Sequence, residues 1–449
     1  MNDRTRTSTA LDVAHRRRAL CLSAAAVPLL AACGDTALLA PSATEGPTPV
    51  IGPPRTALVP TVHVATATGW PAGRVPAVAP GLRVSPFATG LDHPRWITVL
   101  PSGDVLVAET NAPARPDDGK GVKAWITKLM MKRAGAGTAS PDRITLLRDA
   151  DGDGMAETRT IFVDRLRSPF GMALAGAWLY VANTDGIVRF PYRDGETRLA
   201  GDGETVVDLP AGPINHHWTK NIIATADGRT LYATVGSNSN VGENGLDKEE
   251  GRAAIWKVDV EQRSKRLFAT GLRNPNGLAL DPASGVLWTV VNERDELGSD
   301  LVPDYLTSVT EDAFYGWPYS YYGAHVDDRV PSRPDLVARA QVPDYALGAH
   351  VAALGLTSSA GSRLPAAYAS GMIIGEHGSW NRRPRSGYKV VYVPFANGRP
   401  SGPPIDLVTG FLSPDGEAWG RPVGVAIDRR GNLLIADDVG NTIWRVSAA

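Results

Sequence analysis

One phrase recurs along the chain and constrains its fold: a short polar lead-in, often containing proline, precedes an apolar run, a turn and a second apolar strand. Six copies begin at Leu91, Arg167, His216, Gly271, Ala349 and Gly420. Within a copy, the alternation of apolar and polar residues, interrupted by Gly, Asp or Ser, is typical of a β-hairpin. Such a short unit cannot bury its apolar face alone, so successive units must stack on one another.

Six hairpin-based units predict an all-β fold, a six-bladed β-propeller with four strands in each blade. We place this domain at residues 81–449. The repeats are longer than the usual ~40–50 residues of propeller blades, which predicts long decorating loops at 111–141 and 299–348. A β-sandwich or two smaller β domains are the alternatives, but those folds do not repeat one phrase six times.

The first 32 residues have the features of an export signal. Arg16–Arg18 precede an apolar stretch at 19–32 that is too short to span a bilayer. The stretch ends in Leu-Ala-Ala-Cys at residues 30–33, which resembles a bacterial lipobox, where a peptidase cuts before a cysteine that is then acylated. We therefore expect an exported lipoprotein, periplasmic or on the cell surface, anchored in the membrane through Cys33. A plain secretory signal with a chance cysteine is the alternative.

Residues 33–80 are predicted to be a lipidated N-terminus followed by a flexible linker. This segment is rich in Pro, Ala and Thr. A chain of that composition buries too little apolar surface by itself to offset the entropy lost on ordering. We therefore expect a semi-extended tether between the lipid and the propeller.

Charge and cysteine content exclude several classes of protein. The net charge is −1, and no long Lys/Arg run occurs beyond the signal segment, so we expect no nucleic-acid partner. The two cysteines, Cys21 and Cys33, both precede the predicted propeller. The propeller therefore has no disulfide, no cysteine-rich zinc site and no cysteine nucleophile.

The candidate functional residues are the polar side chains in the lead-ins to the repeats. In a propeller the inner strands line a central channel, so residues at their starts converge at one end of it. The lead-ins carry Arg95, His216, His217, Arg273, Asn274 and Arg421. His377, Asn381 and Arg382 follow the apolar strand of the fifth copy. Arginines and histidines from several blades predict a pocket for a polyanionic ligand that also contains a base.

Five phrases together resemble the glucose/sorbosone dehydrogenase family, in its sorbosone- and pyranose-dehydrogenase-like branch. They are GLRNPNGLAL (271–280), NERDELGSD (292–300), FYGWP (314–318), GEHGSWNR (375–382) and GRPVG (420–424). The resemblance covers residues 82–446. It implies a six-bladed propeller that uses pyrroloquinoline quinone (PQQ) and calcium to oxidise a sugar or a sugar-derived alcohol or aldehyde. It also implies an external electron acceptor, a quinone or a cytochrome.

The resemblance also implies roles for individual residues. His217 matches the general base, and Arg273 matches the arginine that stabilises negative charge at the reactive quinone carbonyl. The residues implied to bind the cofactor are Arg273, Asn274, Arg382, Arg421 and Asp104. The chain departs from the family at Ser237, where many members have an aspartate beside the histidine.

The resemblance implies that calcium lies at the loop from Asn292 to Gly298, with Asp295 and Glu296 at the metal-binding positions, mainly through backbone carbonyls. A solvated charged loop is the alternative. A second acidic phrase, Asp149 to Gly154 with Glu157, has the spacing of an EF-hand start, but Thr160 stands where the bidentate glutamate belongs. Calcium binding and a plain polar turn both remain open there.

Two other functions compete with the dehydrogenase. A calcium-dependent lactonase on a similar propeller needs side-chain carboxylates around its metal, whereas the lead-ins here carry arginines. A non-catalytic binding propeller on the cell surface accounts for the anchor and the fold but not for a histidine among arginines. The sequence contains neither a Cys-x-x-Cys-His haem motif nor a Gly-x-Gly-x-x-Gly phrase after a strand, so it predicts no second cofactor.

Overall fold

Short strands precede the first repeat in this computed structural model, which describes residues 34–56, 61–116, 133, 135 and 137–449. These strands are β1 (Glu45–Gly46), β2 (Ala77–Val78) and β3 (Leu82–Ala88). A one-turn helix, α1 (Pro41–Thr44), lies just before β1. Among the residues described, no helix is long and apolar enough to cross a lipid bilayer.

The first three blades each contain four antiparallel strands in chain order, and the sheet of blade 3 gains a fifth, parallel strand from Ala313–Phe314. Blade 1 contains β4 (Pro94–Val99), β5 (Val105–Glu109), β6 (Arg143–Arg148) and β7 (Thr158–Val163). Blade 2 contains β8 (Met172–Ala175), β9 (Trp178–Asn183), β10 (Gly186–Pro191) and β11 (Glu204–Asp208). Blade 3 contains β12 (Ile222–Ala224), β13 (Thr230–Val235), β14 (Ala254–Asp259) and β15 (Ser264–Thr270), with a 3-10 turn at Leu246–Glu249.

Blades 4 and 5 carry insertions, and blade 6 closes the ring. Blade 4 contains β16 (Asn274–Leu280), β17 (Leu287–Asn292), β18 (Pro303–Val309) and β22 (Tyr345–Ala349); its insertion holds β19 (Ala313–Phe314), β20 (Ser320–Tyr321), β21 (His325–Val326) and α2 (Pro334–Val337). Blade 5 contains β23 (Ala353–Ser358), β24 (Gly371–Glu376), β25 (Lys389–Ala396) and β27 (Ile405–Thr409), with β26 (Arg399–Pro400) beside β25 and a 3-10 turn at Ala366–Tyr368. Blade 6 contains β28 (Pro422–Ile427), β29 (Leu433–Asp437) and β30 (Thr442–Ala448), and β3 is its fourth strand.

The predicted six-bladed propeller is confirmed, and its inner strands surround a central channel. Residues of β4, β8, β12, β16, β23 and β28 line that channel together. The blades pack through buried apolar faces; for example, Trp96 of blade 1 lies 4.9 Å from Phe170 at the entry to blade 2. Close contact between inner strands requires glycine: a Cβ on Gly355 would overlap the carbonyl oxygen of Val423.

The ring is closed by strands from both ends of the propeller sequence. Strand β3 pairs with β30 in antiparallel register, from Leu82 opposite Ala448 to Ala88 opposite Ile443. The last blade therefore contains one strand from before the first repeat. This arrangement holds the ends of the propeller together through backbone hydrogen bonds.

The expectation of a long decorating loop at 299–348 is corrected by the structure. That range supplies the two outer strands of blade 4, β18 and β22, with an insertion between them. The fourth sequence copy showed only the inner strands, because the outer ones are separated by the insertion. Most of the other expected loop, 111–141, lies outside the described residues.

The prediction of a flexible tether is wrong for residues 34–56 and 61–80, which pack on the propeller. Strand β1 extends the outer edge of blade 4, and β2 extends that of blade 5. Ala65 is fully buried, and the ring of Trp70 lies 5.6 Å from Phe411 and 5.3 Å from Trp444. The segment buries little apolar surface by itself, but it packs against the surface of the folded propeller. The predicted signal peptide and Cys33 lie outside the described residues.

Candidate functional site

Two cavities lie at the end of the channel where the inner strands begin. The larger has a volume of about 820 Å³, and its lining includes His93, Arg95, His216, His377, Arg421 and Asp438. The smaller has a volume of about 180 Å³, and its lining includes His217, Arg273, Asn274, Asp295, His350 and Asn381. The cavities are neighbours, because the consecutive residues His216 and His217 each line one of them.

His217 precedes β12 and is held in one tautomer by the backbone. Its Nδ1 atom lies 2.8 Å from the carbonyl oxygen of Ser237. A carbonyl only accepts hydrogen bonds, so Nδ1 carries the proton and Nε2 keeps its lone pair. Burial, followed by the positive charge of Arg273, lowers the pKa of His217 well below its usual value. His217 is therefore a neutral imidazole with a basic Nε2 at neutral pH.

Ser237 supports His217 with its hydroxyl group as well as its carbonyl. The hydroxyl donates to the carbonyl of Ser239 at 2.6 Å, so its oxygen accepts from Nδ1 of His217 at 3.0 Å. A neutral serine orients the ring without adding a negative charge. This explains how the pKa of His217 stays low where a carboxylate would raise it.

Arg273 is buried, and its guanidinium group is held by oxygen acceptors. It donates to the carbonyl of Glu293 at 2.5 Å and to Oδ2 of Asp295 at 3.0 Å. It also donates two hydrogen bonds to Asn240, one to the backbone carbonyl at 3.2 Å and one to Oδ1 at 3.0 Å. The cation is thus fixed beside the small cavity, where it can stabilise negative charge without reorganising.

Asn274, next to Arg273, presents an unsatisfied acceptor to the small cavity. Its Oδ1 atom is buried and has no hydrogen-bond partner within the described structure. A Cβ on Gly236 would overlap both this oxygen and the Cβ of His217. Glycine at 236 is therefore required for the close approach of His217 and Asn274.

Asn240, which the sequence reasoning missed, connects Arg273 to Asp295. Its Oδ1 accepts from Arg273 and, at 2.8 Å, from the backbone nitrogen of Asp295. Its carbonyl accepts from Nε1 of Trp317 at 2.9 Å. The available signal was its position in the polar loop that follows β13, at the same end of the blade as the lead-ins.

Asp295, predicted to bind calcium, is an ion-pair partner in the structure. Its carboxylate accepts from Arg273 and, at 2.8 Å, from Nδ2 of Asn381; Nδ1 of His350 lies 3.7 Å away. Burial acts to raise the pKa of Asp295, but Arg273 and His350 outweigh it and hold the pKa below its usual value. The same carboxylate contributes to a raised pKa of His350, against the effect of burial.

The loop oxygens around Asp295 do not fit a calcium ion in this arrangement. The carbonyl of Glu293 accepts from Arg273, and that of Asp295 accepts from Nδ2 of Asn240 at 3.2 Å and from Arg329 at 3.0 Å. Glu296 is exposed and lines neither cavity. N–H groups and a guanidinium thus stand where a cation would need free oxygens. We correct the assignment of Asp295 and Glu296 as metal ligands and derive no step through calcium.

In the larger cavity, Asp438 joins side chains from several blades. Its Oδ2 atom accepts from Arg95 and from Nε2 of His377, each at 2.9 Å, and lies 3.7 Å from Nε2 of His93. Burial would raise the pKa of Asp438, but His377, His93 and Arg95 hold it well below the usual range. Burial lowers the pKa of His377 to about 4, despite Asp438. His377 is therefore neutral at pH 7 and carries its proton on Nε2.

Three buried atoms of this cluster have no hydrogen-bond partner within the described structure: Nε of Arg95, Nε of Arg421 and Oδ1 of Asp438. A second nitrogen of Arg421 donates to the hydroxyl of Tyr388 at 3.2 Å, and its guanidinium lies 5.2 Å from that ring's centre. Unpaired buried donors are costly, so the arginines fit an anionic ligand that accepts from them. A planar tricarboxylate such as PQQ has that chemistry.

Two residues predicted to bind the cofactor are not brought into either cavity. Asp104 lies at the other end of blade 1, because the register places Val99 opposite Val105 and Pro94 opposite Glu109. There its carboxylate pairs with Arg148 at 2.6 and 2.7 Å. Asp104 is therefore removed from the site.

Arg382 is the second of these residues. Its guanidinium donates to the carbonyls of Ser299 at 2.9 Å and Pro384 at 2.7 Å, and it lines neither cavity. The preceding residue, Asn381, lines the small cavity instead and bonds Asp295. The two residues lie in the loop between β24 and β25, where the path of the backbone turns Arg382 away from the cavities, and Arg382 is therefore removed from the site.

The second acidic phrase forms a turn at the same end of blade 1 as Asp104. The oxygens of Asp149, Asp151, Asp153 and Glu157 lie within 4.8 Å of one another. Arg430 donates to Asp149 at 3.2 Å. The cluster follows β6, away from both cavities, and takes no part in the candidate site.

A family model described as TrAA12-like matches residues 76–313 and 336–449. The chain belongs to this family. The unmatched stretch lies in the insertion of blade 4, so the match covers the framework of all six blades and both cavities.

Solved structures confirm the resemblance that the sequence motifs indicated. The Trichoderma reesei family AA12 enzyme aligns with a TM-score of 0.67 at 19% identity, over 86% of this chain and 99% of that one. The PQQ domain of Coprinopsis cinerea pyranose dehydrogenase aligns with a TM-score of 0.65 at 22% identity, over 86% of this chain and 100% of that one. The PQQ-bound aldose sugar dehydrogenase of Streptomyces coelicolor aligns with a TM-score of 0.53 at 17% identity, over 83% of this chain and 99% of that one. These likenesses show the shared fold.

Sequence relatives align with this chain over only part of their own length. The chain is 30% identical over 246 residues to an uncharacterised protein of Borreliella burgdorferi, covering 53% of this chain and 62% of that protein. It is 23% identical over 430 residues to the PQQ-dependent pyranose dehydrogenase of Coprinopsis cinerea, covering 82% of this chain and 54% of that protein. The chain thus spans between half and two thirds of the length of these relatives.

Proposed function

We propose that the protein is a PQQ-dependent oxidoreductase that oxidises a sugar or a sugar-derived alcohol or aldehyde. The observation that carries the proposal is the cavity of about 820 Å³ in which Arg95 and Arg421 present buried, unpaired Nε atoms, next to the basic His217. Relatives whose names specify PQQ and pyranose or aldose dehydrogenase support the same reading.

The cofactor would be held by the cations of the larger cavity, Arg95 and Arg421, with Asn274 and Arg273 at its neighbour. When bound, PQQ supplies a two-electron acceptor for the hydride that leaves the substrate carbon. Its carboxylates match guanidinium groups, which bind planar anions through paired hydrogen bonds. The buried carboxylate of Asp438 accepts a hydrogen bond from Arg95 and so holds that arginine in position before a ligand binds.

His217 takes the proton from the substrate hydroxyl at its Nε2 atom. A sugar hydroxyl is a very weak acid, so this transfer needs a positioned base. The bond from Nδ1 to the carbonyl of Ser237 keeps Nε2 unprotonated and fixes the ring plane. Arg273, held by Asn240 and Asp295, stabilises the negative charge that develops beside it.

Calcium is left out of this mechanism, because the oxygens of the Asp295 loop already accept N–H donors. The proposal predicts that PQQ binds equally well with added calcium and with a chelator. This outcome differs from the family expectation, and a calcium requirement would show that the loop rearranges around the ion.

The proposal is tested by titrating the full chain with PQQ and following the quinone absorbance, then adding aldoses and ketoaldoses. Saturable binding followed by bleaching of the quinone band supports it. Failure to bind PQQ would favour the non-catalytic propeller, and release of acid from sugar lactones without PQQ would favour the lactonase.

Two further parts of the proposal concern the protein's partners. Electrons pass from the reduced cofactor to an external quinone or cytochrome, because the sequence contains no motif for a second cofactor. The protein is exported and anchored through an acylated Cys33, on the strength of the Leu-Ala-Ala-Cys phrase at residues 30–33. Cys33→Ser is expected to move it from the membrane fraction to the soluble fraction, and an unchanged distribution would contradict the anchor.

A further inference from the structure

The segment before the propeller makes direct contact with the loop that carries Asp295. Oδ2 of Asp35 accepts from the backbone nitrogen of Ser299 at 2.5 Å, and the hydroxyl of Ser299 donates to the carbonyl of Asp35 at 3.0 Å. Gly298 lies against the same residue, since a Cβ there would lie 3.0 Å from Oδ2 of Asp35. Asp35 therefore packs against one side of the loop 295–300.

Arg55, at the other end of the same segment, contacts the same side of the loop. Its backbone nitrogen donates to the carbonyl of Leu297 at 2.9 Å. Its guanidinium donates to Asp35 at 2.9 Å and to Asp300 at 3.1 Å. Asp300 also accepts from the backbone nitrogen of Leu38 at 2.8 Å. Two parts of the N-terminal segment are thus joined to the middle and the C-terminal end of the loop, at Leu297, Ser299 and Asp300.

The opposite side of the loop is held by the propeller. Nε2 of His350 lies 3.0 Å from the carbonyl of Gly298, and Arg382 donates to the carbonyl of Ser299 at 2.9 Å. Asp295, at the start of the loop, pairs with Arg273 beside the small cavity. The loop is therefore clamped from both sides, and its position determines where Asp295 meets Arg273.

We propose that Asp35 and Arg55 are positioning residues of the active site: they clamp loop 295–300 so that Asp295 holds Arg273 in place. Neither residue lines either of the two cavities described above, so they act through the loop. The effect on catalysis rests on the proposed function, whereas the effect on the loop does not. The N-terminal segment is then a working part of the site, and the functional unit begins well before residue 81.

The physical reason is the precision that the site requires. Misplacing a catalytic group by about 1 Å can lower a rate about 100-fold. Asp35 and Arg55 together satisfy the backbone nitrogen of Ser299 and the carbonyl of Leu297. Without these partners the loop loses anchors on its outer side and keeps only those from the propeller.

The test compares Asp35→Ala and Arg55→Gln with the unchanged full chain. Arg55→Lys serves as the conservative rescue, since lysine can still pair with both carboxylates. Arg399→Gln is the control, because it removes an arginine–aspartate pair, with Asp344, that does not involve the loop. The side chain of Arg55 is 31% exposed, so its replacement is expected to leave the fold intact.

The first measurement is amide hydrogen exchange of residues 295–300 without any ligand. We expect exchange at least tenfold faster in Asp35→Ala and Arg55→Gln, near-normal exchange in Arg55→Lys, and no change in Arg399→Gln. Unchanged exchange in the first two variants would overturn the proposal. This measurement decides the clamp even if the protein proves not to bind PQQ.

The second measurement is single-turnover reduction of bound PQQ by sugar. We expect the rate to fall about tenfold to 100-fold in the two disruptive variants, with recovery in Arg55→Lys and a smaller change in substrate affinity. A loop that exchanges faster while the rate stays normal would show that the clamp is only structural, and would overturn the positioning role.

Discussion

The Nε2 atom of His377 lies 2.9 Å from Oδ2 of Asp438, and the same oxygen accepts from Arg95 at 2.9 Å. His377 follows β24 of blade 5, Asp438 follows β29 of blade 6 and Arg95 belongs to blade 1. One carboxylate therefore links three blades across the point where the ring closes. The cluster both stabilises the ring and arranges the cations of the larger cavity.

Asp438→Asn is expected to destabilise the protein and weaken PQQ binding. Removing the charge leaves the buried Arg95 without its counter-ion, which costs about 3–5 kcal/mol of the free energy of unfolding. Urea unfolding and PQQ titration measure the two effects. Asp104→Asn is the matched control: it breaks the pair with Arg148 at the other end of blade 1, so stability should fall but PQQ affinity should not. Lost PQQ affinity in that control would return Asp104 to the site.

Three buried histidines, His93, His217 and His377, are expected to contribute a loss of stability as the pH falls from about 6.5 to 4. Burial lowers the pKa values of His93, His217 and His377, the last to about 4. As the pH falls through 6.5, these histidines bind protons in the unfolded chain but stay neutral in the native protein. Their contribution to the free energy of unfolding therefore declines. Groups with a raised native pKa work in the opposite direction: His350, Asp304, at about 7, and Asp437, at about 6. The test is therefore a difference: denaturant midpoints from pH 7.5 to pH 4.5 are compared between the unchanged protein and His377→Gln, and the variant should lose less stability toward acid.

His217→Ala is expected to separate catalysis from binding. Reduction of bound PQQ by sugar should fall by about two to four orders of magnitude, the usual worth of a positioned base, while PQQ affinity stays close to normal. His216→Ala is the control and should have the smaller effect. In the unchanged protein the acid limb of the rate should lie below pH 6.5, because the pKa of His217 is lowered. Loss of turnover in His216→Ala alone would mean that the wrong histidine was assigned.

Asn240→Ala is expected to lower the rate of PQQ reduction about tenfold to 100-fold. The variant removes the Oδ1 atom that holds both Arg273 and the backbone nitrogen of Asp295. Arg273 would then move within its pocket, and its charge would stabilise the transition state less well. Gln262→Ala, which replaces an exposed side chain, is the control for the effect of a substitution outside the site. A normal rate with a lowered melting temperature would limit Asn240 to a structural role.

Arg421→Ala is expected to weaken PQQ binding by about one to several orders of magnitude. A carboxylate that loses its guanidinium partner in a buried site loses a few kcal/mol, and each 1.4 kcal/mol is about tenfold in affinity. The absorbance titration used for the unchanged protein measures it directly. Arg429→Ala is the matched control, because that arginine lies at the far end of blade 6, where it bonds the carbonyl of Pro101. Equal affinity in both variants would remove Arg421 from the site.

The repeats were sufficient to predict the propeller, because each copy reports the same inner hairpin and six copies close one ring. Four lead-in residues lie at or shortly before the start of an inner strand and line a cavity, while their roles stay predictions: His217, Arg273, Asn274 and Arg421. At those positions the start of the strand determines the end of the channel at which a side chain lies.

The errors arose where the position of a residue depended on the direction of a strand after a turn or on packing between distant segments. Asp104 follows a turn, and the turn places it at the opposite end of the strand from Arg95. Asn240 reaches the site through a loop whose path depends on contacts with Trp317 and Arg273. Composition could not show that residues 34–56 would pack, since their partners lie some 260 positions away in the chain.

The pairing of β3 with β30 has a consequence for how the molecule is made. Some 350 residues separate β3 from its partner β30, so β3 stays unpaired during synthesis until residues 442–448 emerge. Until then the exposed edge of β3 is available for pairing with other chains. Completion of the ring is thus a late event in biosynthesis, and removing the final strand should leave an aggregation-prone chain rather than a five-bladed domain.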